Sequence, residues 1–215
     1  AGLGTPDQFR EARSTNLVSN LFGGNVGTTF TNTSGGGVLF QADAINDWFA
    51  PKFNVTGKVV FEPYGSAWAA TPTFDSDISF VTSNPSLVRF GKEGDTGTVN
   101  VGGGISIPSP TEVVGQWVTV NGNLTVSTAT SKLLLKATQN VTTSVTTAGT
   151  IQTNNGPITI WSDSDKVAGT ASNGGNIYLA TSTTISSQGG NISLGGGLDD
   201  GGADSGLTTA GGYLT

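Results

Sequence analysis

Short apolar triplets, in which two apolar side chains flank one other residue, recur along most of this chain. They include Val38-Leu39-Phe40, Val59-Val60-Phe61, Ile78-Ser79-Phe80, Val99-Asn100-Val101, Ile105-Ser106-Ile107, Val118-Thr119-Val120, Leu124-Thr125-Val126, Leu133-Leu134-Leu135, Ile158-Thr159-Ile160, Ile177-Tyr178-Leu179 and Ile192-Ser193-Leu194. Because side chains alternate along a strand, each triplet reads as a strand of about three to five residues with one face buried. Such strands bury too little alone. A hairpin sandwich would need longer strands with a turn every ~8–12 residues.

The triplets also sit in a repeat. Gly174-Gly175-Asn176-Ile177-Tyr178-Leu179 recurs fifteen positions later as Gly189-Gly190-Asn191-Ile192-Ser193-Leu194. Asn155-Gly156-Pro157-Ile158-Thr159-Ile160 is a looser copy, and Gly36-Gly37-Val38-Leu39-Phe40 another. Spacings of about 15 to 20 residues predict one coil per repeat, the mark of a solenoid. Stacked coils turn the inward Val, Ile and Leu into continuous ladders. The expected fold is therefore all-β, a single right-handed parallel β-helix over residues 31–215, with longer excursions at 62–76 and 161–173. Composition fits this reading. Thirty-three Gly and only 11% charged residues suit a chain with many corners, where Gly supplies positive φ and Asn takes left-handed positions. The patterned apolar residues argue against disorder.

Residues 1–30 depart from the pattern. Thr5-Pro6-Asp7-Gln8 has the form of a capped helix start, and Phe9, Ala12, Arg13, Leu17 and Leu21 follow at roughly helical spacing. A short helix over 6–21 is predicted, with an extended arm as the alternative because Ser14-Thr15-Asn16 are poor helix formers. Either can cap the solenoid or dock to a neighbour, since open coil ends expose unpaired strand edges.

Several function classes are excluded. With no Cys and no His, the chain alone builds no disulfide framework, zinc finger, thiol nucleophile or Ser-His-Asp triad. Nine Lys plus Arg against fifteen Asp plus Glu give a charge of −6, with no basic cluster, so a nucleic-acid partner is not expected. No run of about 18 apolar residues is present to insert into a membrane. The chain reads as a processed or excised piece of something longer.

From Gly57 to Tyr213 the chain resembles a recurring unit of the filamentous-haemagglutinin-like giant bacterial surface adhesins. The resembling pieces are Lys58-Val59-Val60-Phe61-Glu62-Pro63-Tyr64-Gly65, Val88-Arg89-Phe90-Gly91-Lys92-Glu93-Gly94-Asp95-Thr96, Leu133-Leu134-Leu135-Lys136-Ala137, Thr153-Asn154-Asn155-Gly156-Pro157-Ile158, Trp161-Ser162-Asp163-Ser164-Asp165 and Leu194-Gly195-Gly196-Gly197-Leu198-Asp199-Asp200-Gly201. Their order and spacing match over about three quarters of the chain. The resemblance implies a right-handed parallel β-helix that is exported and displayed, without a catalytic site.

Candidate sites are few. Asp199, Asp200 and Asp204 in a Gly-rich loop, and Asp163 and Asp165 in Trp-Ser-Asp-Ser-Asp, present oxygen ligands suited to calcium, although Asp also serves turns by bonding its own backbone. No cofactor is expected, and calcium at Asp199, Asp200 and Asp204 is the one ion these residues would admit. Trp48, Trp68, Trp117, Trp161 and Tyr64 can stack on sugar rings or cover loop bases. Tyr64 and Trp68, beside Pro63 and Gly65, are the pair expected to be exposed. A glycosidase or lyase would draw on Glu62, Asp75, Asp77, Glu93, Asp95 and Glu112, all expected in loops, with Arg89 or Lys92 as base, but no motif fixes them. Thr142-Thr143-Ser144 and Thr181-Ser182-Thr183-Thr184 are too irregular for an ice-binding array. Five Asn-x-Ser/Thr sequons begin at Asn32, Asn54, Asn123, Asn140 and Asn191, and Gly103-Gly104 and Gly195-Gly196-Gly197 read as corners.

The expected function is a non-enzymatic extracellular module of the bacterial cell surface: stalk, adhesin segment or filament subunit. Its partners would be a surface glycan or neighbouring copies of itself. The alternative is a β-helical protein that binds or degrades polysaccharide.

Overall fold

A computed structural model describes residues 10–17, 29–45, 50–81, 84–144, 146, 148–164, 175–196 and 213–214. Every described element is a strand and every described pairing is parallel. The first wall holds β1 (Arg10–Leu17), β3 (Val38–Ala44), β5 (Lys58–Pro63), β8 (Leu87–Gly91), β11 (Thr111–Gly115), β14 (Leu133–Ala137), β17 (Ile158–Ser162) and β20 (Ile192–Gly196). On the second wall lie β6 (Thr73–Phe74), β9 (Thr98–Gly102), β12 (Trp117–Asn121), β15 (Val141–Thr143), β18 (Asn176–Tyr178) and β21 (Tyr213–Leu214). The third wall begins with β2 (Thr29–Asn32), β4 (Lys52–Val55) and β7 (Ser79–Phe80) and continues with β10 (Ile105–Ile107), β13 (Leu124–Ala129), β16 (Thr150–Asn154) and β19 (Thr184–Ser186). The chain visits the walls in this order, and the circuits from β5 to β19 make five complete coils. The fold is a parallel β-helix.

The ladders form as the triplets require. Val38, Val59, Val88, Thr111, Leu133, Ile158 and Ile192 stack in register, each one coil beyond the last. All of them except Ile192 are buried. Thr111 keeps its place in this apolar row because its hydroxyl donates to the Ser109 carbonyl at 3.0 Å, which removes the cost of an unpaired buried polar group.

The core changes character along the axis. Its early coils are aromatic: Phe40 stacks on Phe61 at 4.9 Å and Phe61 on Phe90 at 5.5 Å, while Phe53 meets Phe61 edge-on at 5.8 Å. Phe74 fills the remaining corner, 4.4 Å from Phe90. Beyond Phe90 the same row becomes Val113, Leu135, Ile160 and Leu194.

Two sequence expectations are corrected. Of the helix over 6–21 and its extended alternative, Arg10–Leu17 takes the extended form, a strand paired with Val38–Ala44. Positions 6–9 and 18–21 lie outside the described residues. Helical spacing of Phe9, Ala12, Arg13, Leu17 and Leu21 is outweighed by the sheet edge that β3 offers, and Ser14-Thr15-Asn16 give up little helix propensity there. The coil is also longer than the repeat spacing suggested. The two Gly-Gly-Asn copies stand on different walls, Asn176–Tyr178 on the second and Ile192–Gly196 on the first. The interval between them is therefore a step between walls, whereas Asn155-Gly156-Pro157-Ile158 lies one full coil before Gly189-Gly190-Asn191-Ile192.

What the two copies share is a corner. A methyl group on Gly190 would overlap the backbone of Gly156 in the preceding coil, and one on Gly175 would overlap the Gln139 carbonyl. Glycine is needed there because the neighbouring coil's backbone passes through the space of a Cβ. Buried hydroxyls complete these corners. Thr153 Oγ1 donates to the Gly156 carbonyl at 2.6 Å, and Ser187 Oγ donates to that of Gly190. Gly103 and Gly104 do form a corner, with φ of 60° and 89°, but Gly195 and Gly196 belong to β20.

Candidate functional site

Charge separates by wall. No described strand of the second wall carries Asp, Glu, Lys or Arg, and neither does β10, β13, β16 or β19 of the third. From β5 onward the first wall carries Lys58 and Glu62 in β5, Arg89 in β8, Glu112 in β11 and Lys136 in β14. Parallel register brings them together. Val60, Arg89, Glu112, Leu134 and Thr159 form one row, and Val114, Lys136 and Trp161 another. Strand alternation turns both rows away from the Val59 and Phe61 ladders.

Glu112 is the centre of the first group. Its Oε2 accepts hydrogen bonds from Arg89 Nη2 at 2.7 Å and Nε at 3.0 Å, and its Oε1 accepts one from Lys132 Nζ at 3.2 Å. Burial pushes the Glu112 carboxyl up, but the guanidinium and ammonium beside it prevail and hold it below its usual value. In the second group Lys136 Nζ lies 3.0 Å from Glu93 Oε1 and 4.7 Å from the Trp161 ring centroid. The Lys136 side chain is 13% exposed and that of Glu93 64%, so partial desolvation favours the contact with the ring face more than the solvent-screened ion pair. In the preceding coils Gln41 Nε2 donates to Glu62 Oε1.

The carboxylates named as acid–base candidates are thus dispersed. Glu62 and Glu112 occupy strands rather than the loops expected, because an outward strand position lets a carboxylate bond side chains of neighbouring coils. Glu93 and Asp95 follow β8. Asp75 and Asp77 lie at another corner, where Asp75 Oδ1 accepts the Asp77 N–H at 2.9 Å. Arg89, considered as a base, is committed to Glu112, and Lys92 Nζ donates to the Pro63 carbonyl at 2.9 Å.

The two proposed stacking residues part company. Tyr64 is 52% exposed, but Trp68 is 7% exposed and packs edge-on against Phe74 at 6.3 Å. Trp68 extends the aromatic core beneath the excursion, so the two do not form a shared platform. The calcium candidates Asp199, Asp200 and Asp204 lie outside the described residues, as does Asp165. Asp163 is buried, with φ of 54°. Among the described residues no group of three or more acidic side chains converges on one point.

Sequence reasoning missed Lys132 and Lys136. Their signal was register: Lys132 lies one coil beyond Glu112 and Lys136 two coils beyond Glu93, a relation hidden until coil length is known. The sequon asparagines also acquire roles. Asn123 Oδ1 accepts the Thr150 N–H and Asn140 Oδ1 the Asn176 N–H, at 2.9 and 2.8 Å, so both brace successive coils.

No family model, no curated protein and no solved structure matches the chain. Its function is read from its own residues.

Proposed function

We propose that this chain is a non-enzymatic structural and adhesive module displayed on a bacterial surface, serving as a stalk, adhesin segment or filament subunit. One observation carries the reading. The charged side chains on and beside β8, β11 and β14 are engaged with one another, Glu112 between Arg89 and Lys132 and Glu93 with Lys136, which suits a contact surface better than acid–base chemistry needing carboxyls opposed across a cleft. The resemblance to filamentous-haemagglutinin-like adhesins supports the same reading. Stacked backbone hydrogen bonds would supply stiffness along the axis, and Tyr64 with the first-wall side chains would supply contact with a surface glycan or a neighbouring copy.

The test combines glycan-array binding with product analysis on neutral and anionic polysaccharides. Binding without new reducing ends or unsaturated products is expected. Released products would overturn the reading in favour of a polysaccharide-degrading enzyme, and absence of binding together with a monodisperse monomer in light scattering would overturn the adhesive and filament readings.

A further inference from the structure

The excursion between β5 and β6, residues 64–72, lies against the turn that follows β8. Thr96 joins them, its N–H and Oγ1 both donating to the Ser66 carbonyl at 2.7 and 3.2 Å. Lys92 reaches back to Pro63. Between the two segments lies Asp95, 2% exposed, with Trp68 at 7%. Asp95 Oδ1 accepts the Gly97 N–H at 2.8 Å. Its Oδ2 and the Trp68 Nε1 are both buried, and neither makes a hydrogen bond of normal geometry.

We infer that Asp95 and Trp68 form an acid-tightened latch, which closes the Tyr64-bearing excursion onto the turn after β8 when Asp95 is protonated. An ionised carboxylate at this position leaves one oxygen buried without a full partner, the costly state for such a group. Neutral, the same group no longer buries a charge and keeps its bond to Gly97. Burial raises the Asp95 carboxyl above the 3.8 of a free aspartate, and the Gly97 N–H, the Lys92 charge and the nearby Trp68 indole only partly oppose it. The closed state therefore binds the proton more tightly than the open one. Closure gains as pH falls through the raised value, and the gain is complete below 3.8. Few other groups titrate here. The turn contributes Lys92 and Glu93, the latter held by Lys136. The excursion contributes Tyr64, and β6 and β9 carry no charge.

Amide hydrogen exchange of the intact chain reads the latch through the Thr96 N–H. Corrected for intrinsic exchange chemistry, its protection is expected to rise as pH falls from about 7.5 to below 3.8, the change falling between the raised value and 3.8, by at most about tenfold per pH unit because one proton is linked. Asp95→Asn, uncharged and nearly isosteric, is expected to give the acid-level protection at every pH. A flat wild-type profile, or the same slope in Asp95→Asn, would overturn the latch. Should that variant not fold, carbon NMR titration of the wild-type Asp95 carboxyl decides, with a midpoint at or below 3.8 contradicting the proposal.

Discussion

Replacing Phe61 with alanine tests the ladder where it is densest. Phe61 is fully buried and its ring has neighbours on every side: Phe40 at 4.9 Å, Phe74 at 5.2 Å, Phe90 at 5.5 Å and Phe53 at 5.8 Å. Removing a buried Phe side chain costs about 3–5 kcal/mol, more when the surroundings cannot collapse into the void. Collapse is restrained here, because hydrogen bonds hold the coils above and below at about 4.8 Å per strand. Each aromatic contact adds about 0.5–1.5 kcal/mol beyond area. Phe61→Ala is therefore expected near the top of the range, about 5 kcal/mol, with Phe61→Leu recovering more than half. Urea unfolding followed by circular dichroism measures both. A loss below about 1.5 kcal/mol for Phe61→Ala would refute the tightly stacked core.

Three further outcomes follow from the same ladders. Ile158 and Ile192 are register partners, yet Ile158 is 0% and Ile192 45% exposed. Ile158→Ala should cost about 2–5 kcal/mol and Ile192→Ala under about 1 kcal/mol in the same denaturation assay. Gly156→Ala drives a methyl into the Ser131 backbone and is expected to cost about 3 kcal/mol, measured as a lowered urea midpoint. The Glu112 carboxyl is held below its ordinary 4.5, so its contribution is present above 4.5 and is lost as pH falls through the lowered value. Glu112→Gln should accordingly flatten the acid limb of the stability–pH curve, and an unchanged limb would contradict the Arg89–Glu112–Lys132 group.

Fold class was legible because the triplets carry a period of two and are too short for anything but stacking. Coil length was not legible. The best-matched repeat, Gly174–Leu179 with Gly189–Leu194, records a corner requirement that recurs on two walls, since backbone crowds Gly175 and Gly190 alike. Over Arg10–Leu17 the expected helix gives way for the same reason that short strands succeed: pairing with a neighbour outweighs local spacing. Trp68 and Tyr64 sit close together in one loop and look alike in sequence. Trp68 is the one that turns inward, onto Phe74 and beside the turn at Asp95–Gly97, a full coil beyond it along the chain. The first-wall ion pairs join residues on different coils and needed the coil register to be seen.

The register itself can be measured directly. Leu39 and Ser193 occupy one row of the first wall, linked through Val60, Arg89, Glu112, Leu134 and Thr159. Six steps at about 4.8 Å place them about 29 Å apart, although most of the chain lies between them in sequence. The chain has no cysteine, so Leu39→Cys with Ser193→Cys gives a clean spin-labelled pair for electron–electron double resonance. A single narrow distribution centred on that separation, broadened only by the labels, is the predicted result. A broad distribution, or a peak beyond about 40 Å, would contradict the stacked coil.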